Sequence, residues 1–237
     1  ADRGVLYIPI AVSRLYDNGV AWNGLISVTE SPSGAESSAQ YADNSKYLSL
    51  VSAEEFGATL EAFTYPKEFN QFDGVATPQT GVMVGQQSRG VFGLSYRTLL
   101  GNDILGTDYG YKLHLVYGLT AAPSEKAYST VNDSPEAITF SWELSSVPVA
   151  VTGLKPTSII TIDSTLVSPT DLAELEQYLY GTVGTDPSLP LPDAVIALFA
   201  GAQTVVTPTT PTFVSSTGVI TIPTVTGVTY RRADTNA

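Results

Sequence analysis

"TDYGYKLHLVYG", residues 107–118, decides how the rest of the chain is read. Tyr109, Tyr111, Leu113, Leu115 and Tyr117 fall on every second position, with Gly110, Lys112, His114, Val116 and Gly118 between them. Side chains of a strand alternate between two faces, so this is a half-buried strand with His114 beside Lys112 on its more polar face. His114 is the one histidine among 237 residues, and the chain has no cysteine. With neither a thiol nor a second imidazole to work with, it reads as a structural residue.

The same period of two recurs on both sides. In "AITFSWEL" (137–144) Ile138, Phe140, Trp142 and Leu144 share one face, and Ala137, Thr139, Ser141 and Glu143 share the other. The preceding "VNDSPE" (131–136) has the residues that favour a turn. Further strands are expected in "GVLYIPIAV" (4–12), "WNGLISVTE" (22–30), "KYLSLVS" (46–52), "GVFGLSYRTLL" (90–100) and "PTSIITIDST" (156–165). In "SAEEFGATLEAFTYP" (52–66) Ser52 and Glu55 have the form of a helix capping box. Phe56, Ala58, Leu60 and Ala62 nevertheless alternate with Gly57, Thr59 and Glu61, and strand is the favoured reading.

One helix is expected, at about residues 169–180 of "SPTDLAELEQYLYG" (168–181). Ser168 stands at the N-cap, Pro169 at the first position, Asp171 in the first turn and Gly181 at the stop, and Leu172, Leu175 and Leu179 line one face. The fold class is therefore mainly β (α+β): a sandwich or barrel with one flanking helix. Residues 1–200 form the β domain, 201–211 a stiff Pro/Thr linker, and 212–237 a short β-rich segment that is either the opening of an appended domain or a segment that docks on a neighbour.

Composition narrows the function. Hydrophobic residues make up 43% of the chain, enough to bury a substantial core. The formal charge of -12 repels phosphate, which argues against a general nucleic-acid binder and against an anionic membrane as partner. "VLYIPIAV" (5–12) is shorter than the roughly 20 residues that span a bilayer and reads as a first strand instead of a secretion signal. Without cysteine the chain can assemble in a reducing cytoplasm.

Chemistry is not indicated. No G-x-S-x-G elbow accompanies His114, there is no phosphate-cradling glycine loop, and no His or Cys cluster could hold zinc. Asp103 and Asp108 in "NDILGTD" (102–108) lack the spacing of a calcium loop, and a turn between strands explains them. Glu54 and Glu55 point to opposite faces of a strand and do not pair as acid and base. Neither a catalytic residue nor a cofactor or metal is expected. Several of the thirteen tyrosines sit at alternate positions with leucine, which favours core or subunit contacts over a sugar-binding platform.

"WNGLISVTESPSGAE" (22–36), "YADNSKYLSLVSAEEFGATLEAFTYPKEF" (41–69), "FGLSYRTLLGND" (92–103), "GTDYGYKLHLVYG" (106–118), "YSTVNDSPEAITFSWE" (128–143) and "TIDSTLVSPTDLAELEQYLYGT" (161–182) closely resemble the major tail proteins of long-tailed phages of Gram-positive bacteria. The similarity covers most of residues 5–200 in matching order. "PTFVSSTGVITIPTVTGVTY" (211–230) also resembles the start of a small domain that some of these proteins carry after the tube domain.

This resemblance implies a tail-tube β-sandwich or barrel, six copies to a ring, and rings stacked into the tube through which double-stranded DNA passes without specific binding. It implies a virion protein assembled in the host cytoplasm, whose partners are further copies of itself, the tape measure protein, and the tail terminator and distal tail proteins. Within such a tube, the polar sides of the strands around 59–61 and 139–143 are candidates for the channel wall: Thr59, Glu61, Thr139, Ser141 and Glu143. A different class also fits the tyrosines, the linker and the acidity, namely a β-rich extracellular adhesin or carbohydrate-binding module.

Overall fold

The computed structural model describes residues 2–9, 16–126, 137–200, 212–214 and 219–221. The expected turn at 131–136, the linker at 201–211 and most of the segment 212–237 lie outside these residues. The chain divides into two compact units, 1–199 and 200–237.

The first unit opens with β1 (Asp2–Ile8), β2 (Asn18–Trp22), β3 (Leu25–Glu30), β4 (Ser33–Gly34), β5 (Ser37–Ala42), β6 (Ser45–Val51), β7 (Glu54–Glu55) and β8 (Gly57–Ala62). After a 3-10 turn at Lys67–Gln71 come β9 (Ala76–Gln79), β10 (Val82–Val84), β11 (Phe92–Asn102), β12 (Gly106–Ala121), β13 (Phe140–Ser146) and β14 (Ile159–Asp163). Two helices follow, α1 (Pro169–Tyr180) and α2 (Pro192–Phe199). The described part of the second unit is the antiparallel pair β15 (Thr212–Val214) and β16 (Val219–Thr221).

The main sheet is antiparallel, in the order β2-β1-β11-β12-β13-β8-β3, with β14 also paired to β12. Its end strands, β2 and β3, are consecutive in the chain and joined by Asn23 and Gly24 alone. A chain that leaves one end of a seven-strand path and enters the other within two residues requires a sheet curled back on itself. Gly24 makes the crossing at φ +80, where a Cβ would lie 2.7 Å from Thr64 Oγ1.

Curling creates two cores. Leu6, Leu60, Leu94, Phe69, Trp22 and Trp142 fill the concave side. Val5, Tyr7, Leu113, Leu115 and Tyr117 cover the other side of the same strands and pack against Leu172, Leu175 and Leu179 of α1 and Val195 of α2. Trp142 donates from Nε1 to the buried Asp73 carboxylate (3.2 Å), which also meets Arg89 (3.5 Å) and Lys126.

In the stretch that opened the reading, Leu113, Leu115 and Tyr117 all face the helices, as period two requires. The phase then slips: Leu119 and Ala121 belong to the concave core. Gly118 is the cause. It sits at φ +64 with the Val147 carbonyl 2.3 Å from where a Cβ would be. On either side of it β12 exchanges one neighbour for another, β14 along Lys112–Val116 and β13 along Leu119–Ala121.

α1 matches the expected helix, with its leucines buried and Gly181 in the left-handed region at φ 72. Ser168 holds the N-cap position, although its hydroxyl makes no capping bond. α2 is an addition to the single helix expected. Glu55 lies in β7, so the capping-box form at Ser52 opens no helix.

Candidate functional site: a polar sheet face and a projecting ribbon

On β8 the side chains alternate strictly, with Ala58, Leu60 and Ala62 buried and Gly57, Thr59 and Glu61 partly exposed. β13 does the same, burying Trp142 and Leu144 and turning Ser141 and Glu143 outward. The two strands pair in antiparallel register, with Ser141 opposite Glu61 and Glu143 opposite Thr59. β3 extends the surface, because Ser27 is opposite Glu61 and Thr29 opposite Thr59. The outward side thus carries two cross-strand rows, Ser27–Glu61–Ser141 and Thr29–Thr59–Glu143. Ser27 Oγ donates to Glu61 Oε2 at 3.0 Å. None of the three strands contains a basic residue.

Four of the five residues expected on this face are therefore brought together. Thr139 is the correction: it is exposed, but lies ahead of β13. Pairing with β8 begins at Phe140 opposite Ala62, and beyond Ala62 the chain turns toward the 3-10 segment. Residues 137–139 consequently have no strand to pair with, and Ile138 is exposed as well.

β3 also bounds the sheet. The Ser31 amide donates to the Gly57 carbonyl at 2.8 Å, so in this register Thr29 and Ser27 direct their backbone groups toward β8. Val28 and Glu30 direct theirs to the other side, where no strand pairs with β3 among the described residues.

The same two chains run on past the sheet. Ser33 opposite Glu55, Gly34 opposite Glu54, and Ser37 to Gln40 opposite Val51 to Leu48 continue the register of β3 and β8. Residues 25–62 are thus one long β-ribbon, interrupted where Gly34 and Ala35 take positive φ. A shift beside Tyr41 precedes a two-residue turn of Asp43 and Asn44, at φ 50 and 60. At about 3.3 Å per residue the part from Ser37 to the turn extends about 20 Å. β6 is exposed throughout, and Tyr41 and Tyr47 are each 73% exposed, beside exposed Leu48, Leu50 and Val51. The hairpin β9–β10 likewise presents Val82, Met83 and Val84.

His114 has neighbours at its ring face and at both ring nitrogens. Its ring stacks on Tyr96 with centroids 4.6 Å apart, Nε2 is 2.9 Å from Thr98 Oγ1, and Nδ1 is 3.4 Å from both Thr161 Oγ1 and Glu30 Oε1. Burial holds its pKa below the usual value; Glu30 acts in the opposite direction and Lys112 in the same one. Tyr96 donates to Glu30 at 2.7 Å, so the group clasps the end of β3 to β11 and β12. The stack is a cross-strand pair of the β11–β12 hairpin, Tyr96 opposite His114, whereas the clasp joins β3 to strands distant in sequence and has no signature in the spacing of residues.

The tyrosines divide as their neighbours suggest. Tyr7, Tyr16, Tyr96 and Tyr117 are buried; Tyr7 donates to the Leu179 carbonyl (2.9 Å) and Tyr117 to that of Pro190 (2.8 Å). Among the described residues no group of three or more His, Cys, Asp or Glu side chains is placed to hold a metal ion, and no helix is long and apolar enough to cross a membrane.

No family model and no curated protein matches the chain. Among solved structures it is similar to a chain of an extracellular contractile injection system, the PVC sheath-tube complex in its extended state, with TM-score 0.32 and 13% identity over 68% of this chain and 88% of that one. It is also similar to a chain of the anti-feeding prophage (AFP) baseplate, 6-fold symmetrised, with TM-score 0.36 and 11% identity over 70% of this chain and 96% of that one. At these scores neither likeness fixes a common fold.

Proposed function

We propose that this chain is a structural subunit of a phage tail tube, assembling as stacked hexameric rings around a channel for DNA. The observation that carries the reading is the face shared by β3, β8 and β13: one side closes the concave core, and the other offers hydroxyls and carboxylates without a cation. An antiparallel sheet commonly faces water on one side. On a channel wall, lysine or arginine would bind phosphates through counterion release and, repeated ring after ring, would stall transit. Glu61 and Glu143 repel phosphate instead, and the serines and threonines hydrate the wall.

The sequence resemblance to major tail proteins supplies the assembly. In this reading the open edge of β3 meets the next subunit in a ring, since an unpaired strand edge is a template for pairing. The tip of the ribbon and the β9–β10 hairpin serve contacts between rings, where their exposed apolar side chains are buried. The tape measure protein occupies the channel before DNA does, and the terminator and distal tail proteins close the ends. The role is structural, with no catalytic step.

Negative-stain microscopy of the purified protein at high concentration, together with a lysate of the phage, tests this directly. Rings or tubes of uniform bore are expected. A strictly monomeric globule with no tubes in the lysate contradicts it, and glycan binding by that globule would favour an adhesin.

A further inference from the structure

The β9–β10 hairpin has a fixed root and an uncovered end. At the root the Gln87 amide donates to the Gly74 carbonyl (3.0 Å), and the flanking Asp73 and Arg89 form the ion pair (3.5 Å) that Trp142 also joins. Between those two charges, residues 74–88 carry none. β9 and β10 are exposed along their whole length and pair with no further strand among the described residues. Val82, Met83 and Val84 are consecutive in a strand, so they lie on both faces of the hairpin, 52%, 64% and 44% exposed. Pro78 has no amide to offer, which blunts β9 as a template for an added strand. Whatever covers this hairpin must therefore do so largely through side chains.

The centre of that apolar patch is also the chain's one accessible sulfur. Met83 is the single methionine, and there is no cysteine. Trp22 and Trp142, the other oxidation-prone side chains, are buried. When a peroxide meets Met83, its O–O bond breaks, one oxygen forms an S–O bond to Sδ, the thioether is oxidised to the sulfoxide, and the peroxide is reduced to water. The product puts a strongly polar group between Val82 and Val84, where burial without a hydrogen-bond partner is costly.

We propose that Met83 is a modification site at which oxidation to the sulfoxide blocks contact between copies of this chain. This rests on the reading of the hairpin as a contact between rings. The full chain, before and after dilute hydrogen peroxide, is compared by intact mass, calorimetry and negative-stain microscopy. Expected are the gain of one oxygen atom, an unchanged melting temperature, and a critical concentration for tubes raised about tenfold or more. Methionine sulfoxide reductase should restore assembly, and Met83→Leu should form tubes that peroxide leaves intact. Absence of tubes from the untreated chain counts against the proposed function and takes this inference with it. Where the untreated chain does form tubes, this inference alone is overturned by any of three results: peroxide leaves Met83 unmodified, the oxidised chain assembles equally well, or Met83→Leu is as sensitive to peroxide as the parent.

Discussion

The ribbon of residues 25–62 is built on one register, yet its two halves have opposite surroundings. At the base, Leu60 is fully buried and β8 alternates between core and surface. At the tip, Leu50 is 58% exposed and Val51 64% exposed, and no part of β6 is covered. Base and tip have similar β-forming residues, so strand propensity does not distinguish them. The base is fixed by what it packs on. The tip is a two-stranded hairpin, a structure of marginal stability alone in water, and its apolar side chains have no reason in the folding of the monomer. On the proposed reading, the difference separates residues that make the subunit from residues that would join subunits.

That separation can be broken by mutation. Leu60→Ala should cost about 2–5 kcal/mol of stability, a large share of what a domain possesses, whereas Leu50→Ala should stay within about 0.5 kcal/mol. Denaturant unfolding of the two variants decides it, and equal losses would mean that the tip is part of the fold. Asp73→Ala should be comparably severe, at about 3–5 kcal/mol, because it leaves Arg89 and Lys126 without the buried carboxylate that Trp142 also contacts.

A subtler change sharpens the comparison. Replacing residues 37–51 by an Asn-Gly turn should leave the melting temperature almost unchanged while removing assembly, as read by calorimetry and microscopy. Normal tubes from this variant would assign the ring contacts elsewhere.

The smallest effect expected is at the clasp where the base meets β11 and β12. Because burial lowers the folded pKa of His114, the unfolded chain takes up the proton first as pH falls below about 6.5. Stability from this group is complete above that pH and declines as pH drops toward and past the folded value. Glu30 opposes the decline and Lys112 adds to it. His114→Gln should flatten this part of the stability profile without preventing assembly.

Much of this was legible in the sequence wherever one face is core and the other is water. The alternation of Ala58, Leu60 and Ala62 with Thr59 and Glu61 placed the polar face correctly, and the leucines of α1 announced their buried stripe. What failed to show has a physical reason in each case. α2, "PDAVIALF", is short and apolar on most sides, so it has no period by which to separate helix from strand. Thr139 continued a perfect alternation, but a strand also needs a neighbour, and the neighbour ends at Ala62. The phase slip at Gly118 depends on the approach of Val147 from a distant part of the chain. The common register of base and tip is hidden by the polar interruptions around Gly34 and Ala35.

The central claim is that the outward face of β3, β8 and β13 lines a channel for DNA. Changing Glu61 and Glu143 together to lysine reverses the charge of that face without touching the core residues between them. Ejection of DNA from particles carrying this double change, measured at low and at high ionic strength, tests the claim most directly. Tubes should form, ejection should slow at low salt, and added salt should restore it, since the new contacts release counterions. Ejection at the wild-type rate in low salt would place this face elsewhere than on the channel and contradict the account.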